Sequence, residues 1–211
     1  MDKRVLQIIG IVAIIIIAIN IVFLIFNANS VKAVLTGKVS QGEVNITVGE
    51  YIAVNFTSWQ VNFGTGSVDA GETNATVCSR ANVECCPGCE AGVCRGNWTS
   101  PDQGLIIENE GNINLSIGFS SSVSSAADFL GGTNPQYLWR FHEEFESCLS
   151  WHEGTEIDEW YDVNATRGVC DYFPPIDSGD EVWIDFILTV PSDSLTDARG
   201  DQITAIVSAS A

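Results

Sequence analysis

Two hydrophobic patterns divide the chain. From Val5 to Phe26 the residues VLQIIGIVAIIIIAINIVFLIF contain no charge. At about 1.5 Å rise per residue such a run is long enough to cross a bilayer core of about 30 Å, which predicts a transmembrane helix over 5–26. Lys3 and Arg4 precede it, so residues 1–4 are expected in the cytoplasm and everything after the span outside. After a linker over 27–34 the apolar period becomes two. Val44, Ile46 and Val48 alternate with Asn45 and Thr47, and Ile52, Val54 and Phe56 alternate with Asn55 and Thr57. Leu105 and Ile107, then Ile113, Leu115, Ile117 and Phe119, repeat the pattern around Asn109-Glu110-Gly111-Asn112, a turn that serves either a hairpin or a corner. Tyr137, Trp139 and Phe141 form an aromatic run, and Val182, Ile184, Phe186, Leu188 and Val190 another that stops at Pro191. Ile203, Ala205, Val207 and Ala209 close the chain. Alternation of this kind makes strands with one apolar face, and the last two are expected to pair as a hairpin with a long loop. Ser124 to Leu130, stopped by Gly131-Gly132, is a short helix. Strands without helical crossovers predict a mainly β domain, an immunoglobulin-like β-sandwich, over 35–211.

Composition sharpens the location. The chain carries 9 Lys+Arg against 27 Asp+Glu, a formal net charge of -18. A surface so acidic repels nucleic acid and anionic lipid headgroups, which excludes DNA or RNA as a partner. Cysteines stand at Cys78, Cys85, Cys86, Cys89, Cys94, Cys148 and Cys170. Five of them crowd an insertion at about 74–102, and the last two flank an acidic loop at about 142–170. In an oxidising exterior such cysteines are expected to be disulfides, with Cys148 and Cys170 a natural pair. The competing reading is zinc, with Cys86 and Cys89 as a C-x2-C knuckle completed by Cys78, Cys85 or Cys94. N-x-S/T sequons occur at Asn45, Asn55, Asn74, Asn97, Asn114 and Asn164, all on the side expected to be exterior, where glycosylation is available.

Candidate chemistry is sparse. His142-Glu143…Glu146 and His152-Glu153…Glu156 are H-E-x-x-E spacings, but the first begins in an expected strand, where positions i and i+4 lie too far apart to chelate. The oxygen ligands Glu153, Glu156, Asp158, Glu159 and Asp162 suit calcium better than zinc. Asp162-Val-Asn164 opens like an EF-hand loop, yet Arg167 replaces the sixth-position Gly and Phe173 the twelfth-position Glu. There is no G-x-S-x-G elbow, and Gly64-Thr65-Gly66 lacks the third glycine of a dinucleotide loop. The expectation is therefore no enzyme and no cofactor, calcium being the one ion the loop suits. The tryptophans read as core or rim residues, or as a platform for glycan.

The length of the apolar run favours a retained anchor, although Val31-Lys32-Ala33 offers a small-residue cleavage pattern. The stretches VNFGTGSVDAGETNATV, GLIIENEGNINLSI, AADFLGGTNPQYLWRF and FILTVPSDSLTDARGDQITAIVSAS resemble a set of uncharacterised archaeal surface proteins. The layout is more distantly similar to the TasA/camelysin class. The resemblance implies a single-pass cell-membrane protein with an extracellular β-sandwich. The expected function is structural or adhesive display, with the membrane and either other copies or other surface proteins as partners. A binding module for calcium or glycan is the alternative.

Overall fold

The computed structural model describes residues 46, 48–80, 89, 91–143, 146–164, 166–176 and 179–210. The expected span Val5–Phe26, the cleavage pattern Val31-Lys32-Ala33, and Val44, Asn45, Cys85 and Cys86 lie outside the described residues. The compact unit treated below is Gly49–Ala211. Among the described residues no helix is long and apolar enough to cross a membrane.

The strands are β1 Asn55–Ser58, β2 Asn74–Cys78, β3 Val93–Cys94, β4 Leu105–Glu108, β5 Leu115–Ser121, β6 Gln136–Glu143, β7 Ser150–Trp151, β8 Trp160–Asp162, β9 Thr166–Phe173, β10 Glu181–Pro191 and β11 Ile203–Ala209. Every named pairing is antiparallel. They form two sheets, one of seven strands built on β10 and one of four in the order β11-β5-β9-β7. The expectation of a mainly β domain holds.

Strand β10 is the axis of the larger sheet. On one flank β6 pairs with it from Val182 to Thr189. On the other flank β4 covers Glu181 to Ile184 and β2 covers Ile187 to Pro191. Its alternation sends Val182, Ile184, Phe186, Leu188 and Val190 into the core, all buried. Tyr137, Trp139 and Phe141 of β6 join them, and Leu115, Ile117, Phe119, Val169 and Phe173 come from the smaller sheet. Phe119 and Phe141 stack across the interior with ring centroids 5.7 Å apart, so the two sheets share one core. Burial of these side chains, each worth about 1.5–3 kcal/mol, is the main source of stability.

The turn at Asn109–Asn112 is a corner. It carries the chain from β4 in the larger sheet to β5 in the smaller one. Asn109 is buried there; its side chain donates to the carbonyls of Ile113 and Phe173 and accepts from the Gly111 N–H. The short helix is present as α1, Ala126–Leu130, with Ser125 as the N-cap accepting from the Asp128 N–H. Gly131 ends it at φ 67 and returns its N–H to Ala127 O.

Two expectations are corrected. Strands β10 and β11 are not a hairpin: β11 pairs with β5 over its whole length, in the other sheet. Alternation marks a strand but not its partner. The first β pattern also begins later than its period suggests. Ile46, Val48 and Ile52 are exposed, and the strand starts only at Asn55, where β4 supplies partners.

Two cysteine pairs are closed, Cys89–Cys94 and Cys148–Cys170, and Cys78 is also disulfide-bonded. The Cys148–Cys170 pair was the one expected, and the use of Cys89 in a disulfide removes it from the zinc reading. That bond spans a sequence separation of 22. Replacing both partners by Ser is expected to lower stability by about 3 kcal/mol through the freed loop entropy. Urea denaturation of the variant against the parent measures it.

Candidate functional site

The densest chemistry lies on the outer face of the larger sheet. Alternation along β10 turns Trp183 and Asp185 away from the core, and along β6 it does the same for Arg140 and His142. The register sets Asp185 opposite Arg140 and Trp183 opposite His142. Strand β8 adds Trp160 opposite Arg140, and Ser79 and then Arg80 follow the end of β2.

Asp185 is the centre, with 1% of its side chain exposed. Arg140 reaches it with Nη2 at 3.2 Å, and Arg80 Nε lies 3.9 Å from the other carboxylate oxygen. Ser79 Oγ donates to that oxygen at 3.3 Å. Arg140 also meets Asp158 at 3.9 Å. Both guanidiniums lie over indoles, Arg80 at 4.4 Å from the Trp183 centroid and Arg140 at 5.0 Å from that of Trp160, an arrangement the ring quadrupole favours. Two Arg and two Asp charges balance within the cluster.

His142 completes it in a defined protonation state. Arg80 Nη1 lies 3.2 Å from His142 Nε2. A guanidinium can only donate, so Nε2 accepts and the imidazole proton sits on Nδ1. That atom faces Asp185 Oδ2 at 3.4 Å without hydrogen-bond geometry. Burial, the largest influence, together with the Arg80 and Arg140 cations holds the His142 pKa below its ordinary 6.5, while Asp185 and Asp158 pull the other way.

The cluster occupies the place where β10 changes neighbours. Ser79 N–H donates to Phe186 O at 2.9 Å, and Phe186 N–H donates to Ser79 Oγ at 2.8 Å. Gly104 sits against the same gap, where a Cβ would fall 2.0 Å from Ile184 O. Ser58 Oγ donates to Gly104 O from the far side.

The expected site residues are placed as follows. Glu153, Glu156, Asp158, Glu159 and Asp162 are all exposed. Asp158 pairs with Arg140, and the Glu156 N–H donates to Tyr161 Oη. Among the described residues no three His, Cys, Asp or Glu side chains converge as a metal site. His152 pairs with Asp171 at 2.7 Å on the surface, away from His142. The Gly64-Thr65-Gly66 stretch supports an indole: a Cβ on Gly66 would meet the Trp98 ring at 2.4 Å. Of the sequon residues, Asn55, Asn97 and Asn164 are exposed and Asn74 and Asn114 half-buried. Asn55 donates to Glu110 and Asn114 to Tyr172 Oη.

Asp185, Arg80, Arg140, Trp160 and Trp183 were not singled out by the sequence reading as a cluster. A carboxylate inside the apolar run VWIDFILTV was the available signal. Comparison of the chain with protein-family models, with curated proteins and with solved structures finds no match.

Two outcomes are expected. Asp185→Ala leaves Arg80 and Arg140 beside a buried vacancy and should cost about 3 kcal/mol, read as a lower urea midpoint at unchanged m-value. For His142 the folded pKa is below the unfolded one, so the unfolded chain binds more protons as pH falls through 6.5. Its contribution to stability is complete above pH 6.5 and is lost as pH falls toward the folded value. The drop in melting temperature between pH 7 and 5.5 should be smaller in His142→Gln; an equal drop in both proteins would show that another group is responsible.

Proposed function

We propose that this chain is a single-pass surface protein. In this reading Val5–Phe26 anchors it in the cell membrane, and the β domain stands outside as an immunoglobulin-like β-sandwich with a structural or adhesive role. Its partners are other copies or other surface proteins. The observation that carries the reading is the set of closed disulfides, Cys89–Cys94 and Cys148–Cys170. Such bonds persist in oxidising compartments, and they follow an apolar run preceded by Lys3-Arg4. The charge of -18 supports a solvated outer face.

The buried polar chemistry also supports display over catalysis. Asp185 takes Arg80, Arg140 and Ser79 as partners, and it sits at a seam in the sheet where it serves pairing. His142 has its Nε2 lone pair engaged by Arg80. These groups are committed to holding the fold.

Protease added to intact cells is the test. A tag placed after Ala211 should be digested while a tag before Met1 survives, and formaldehyde treatment should give multimers. Survival of the C-terminal tag would sink the proposed topology, and with it the surface role.

A further inference from the structure

The fold treats its N-x-S/T sequons unequally. Four of the six are described in all three residues, those at Asn55, Asn74, Asn97 and Asn114. Asn55 begins β1 and pairs with Glu108. Thr76, the third residue of the Asn74 sequon, lies in β2 between Thr189 of β10 and Cys94 of β3. Ser116, the third residue of the Asn114 sequon, lies in β5 opposite Ser208 of β11. Of the four, only Asn97-Trp98-Thr99 lies outside the strands, between the end of β3 at Cys94 and the start of β4 at Leu105. An N-x-S/T acceptor belongs in a surface loop of this kind.

That loop is fixed from its inner side. Trp98 packs against the core, where a Cβ on Gly66 or Gly96 would fall 2.4 or 2.7 Å from its indole. Asn97 N–H donates to Ser67 O and Thr99 N–H donates to Phe63 O. The residues on either side of the indole, Asn97 and Thr99, are both exposed.

The orientation of the Asn97 amide follows from its partner. Its Oδ1 accepts from the Ser67 N–H at 2.6 Å and from Ser67 Oγ at 3.4 Å. A backbone N–H can only donate, so the oxygen faces Ser67 and Nδ2 is left without a partner among the described residues. Glycan transfer replaces one hydrogen of Nδ2 and keeps Oδ1 an acceptor, so both contacts to Ser67 survive it. At Asn55 and Asn114 the reacting nitrogen is already engaged, by Glu110 Oε1 at 2.9 Å and by Tyr172 Oη at 2.6 Å. Asn74 is half-buried, with Arg95 Nη1 3.4 Å from its Oδ1.

We propose that Asn97 is the glycan acceptor among these four sequons, with a lipid-pyrophosphate-linked oligosaccharide as donor. Nδ2 forms a bond to the anomeric carbon of the first sugar, and that carbon's bond to the phosphate oxygen breaks. The lipid pyrophosphate leaves, and a base of the transferring enzyme takes the proton lost from Nδ2. The glycan then stands just beyond β3, an edge of the larger sheet, where its bulk adds cover to that edge. The proposal rests on the exterior placement of the β domain above, since that placement brings the chain to the donor.

Transfer in vitro and occupancy in cells test it separately. The full chain, made in a host without N-glycosylation and kept folded in mild detergent, is supplied with a lipid-pyrophosphate-linked oligosaccharide and an oligosaccharyltransferase. Glycopeptide mass spectrometry then reads each sequon. Asn97 should carry most of the glycan found on the four. Thr99→Ala, at an exposed position, should lose the mass shift at Asn97 with an unchanged melting temperature. Short peptides of the four sequons, which lack the fold, should show no preference for Asn97. A bare Asn97, occupancy as high at Asn55, Asn74 or Asn114, a shift that survives Thr99→Ala, or the same preference among the peptides would each overturn the assignment. So would an unmodified Asn97 on protein from cells that glycosylate exported chains. In those cells a digested C-terminal tag would leave the surface role standing without the glycan, whereas a protected tag would refute the role itself.

Discussion

One strand with three neighbours governs the fold. Strand β10 holds β6 along one flank and divides the other between β4 and β2. At the division, between Ile184 and Ile187, neither neighbour continues the ladder, and buried backbone groups left unpaired there would each cost about 1–3 kcal/mol. Ser79 fills the gap with both a backbone donor and a side-chain oxygen. Gly104 gives the room for it, because any side chain would strike Ile184 O. Asp185 stands at the same seam and draws Arg80 and Arg140 over it. The ion cluster is thus a consequence of topology. A sheet that splits on one flank needs a polar seal, and a carboxylate sealed from water needs cations.

Much of this was legible along the chain and some of it was not. Runs such as Tyr137–Phe141 and Val182–Val190 declared themselves because a strand facing a core on one side must alternate. The helix at Ala126–Leu130 was legible from Ser125 and Gly131, whose roles are local. Partnership was not legible. Ile203–Ala209 looked like the return strand to β10, yet it crosses to β5, since period two identifies a face and leaves the neighbour open. The stretch around Ile46 and Ile52 shows the converse, an alternating pattern that ends exposed. Asp185 could have been noticed as a charge in an apolar run. Arg80, distant in sequence and adjacent to a cysteine-rich stretch, gave no sign that it would cross to Trp183.

Electrostatics divides the molecule into two regimes. At the Asp185 cluster opposite charges compensate within a few ångströms in a poorly solvated site, where attraction is strong and each partner depends on the others. Among the described residues most other carboxylates face water, where single ion pairs such as Arg95–Glu72 at 3.8 Å add little. The His142 imidazole belongs to the first regime. Its lone pair holds Arg80 only while the ring is neutral, so the cluster depends on the absence of one proton as much as on the charges present.

The edges of the sheets are secured by different means, and the difference follows their length. Strands β3 and β7 are too short to hold themselves by ladder bonds alone. Each has a disulfide beside it: Cys94 lies in β3 and is bonded to Cys89, and Cys148 just before β7 is bonded to Cys170 in β9. Strand β11 has no such staple and needs none, because continuous pairing with β5 and the Asp201 clasp fix it. Covalent bonds at the short edges constrain local chain entropy while leaving no long row of backbone groups exposed. The long edge is held by the sheet alone and keeps its outward groups available. Two short edges are thus held covalently and the longest by its ladder and the Asp201 clasp, so the restraint each edge needs follows the number of ladder bonds it can make.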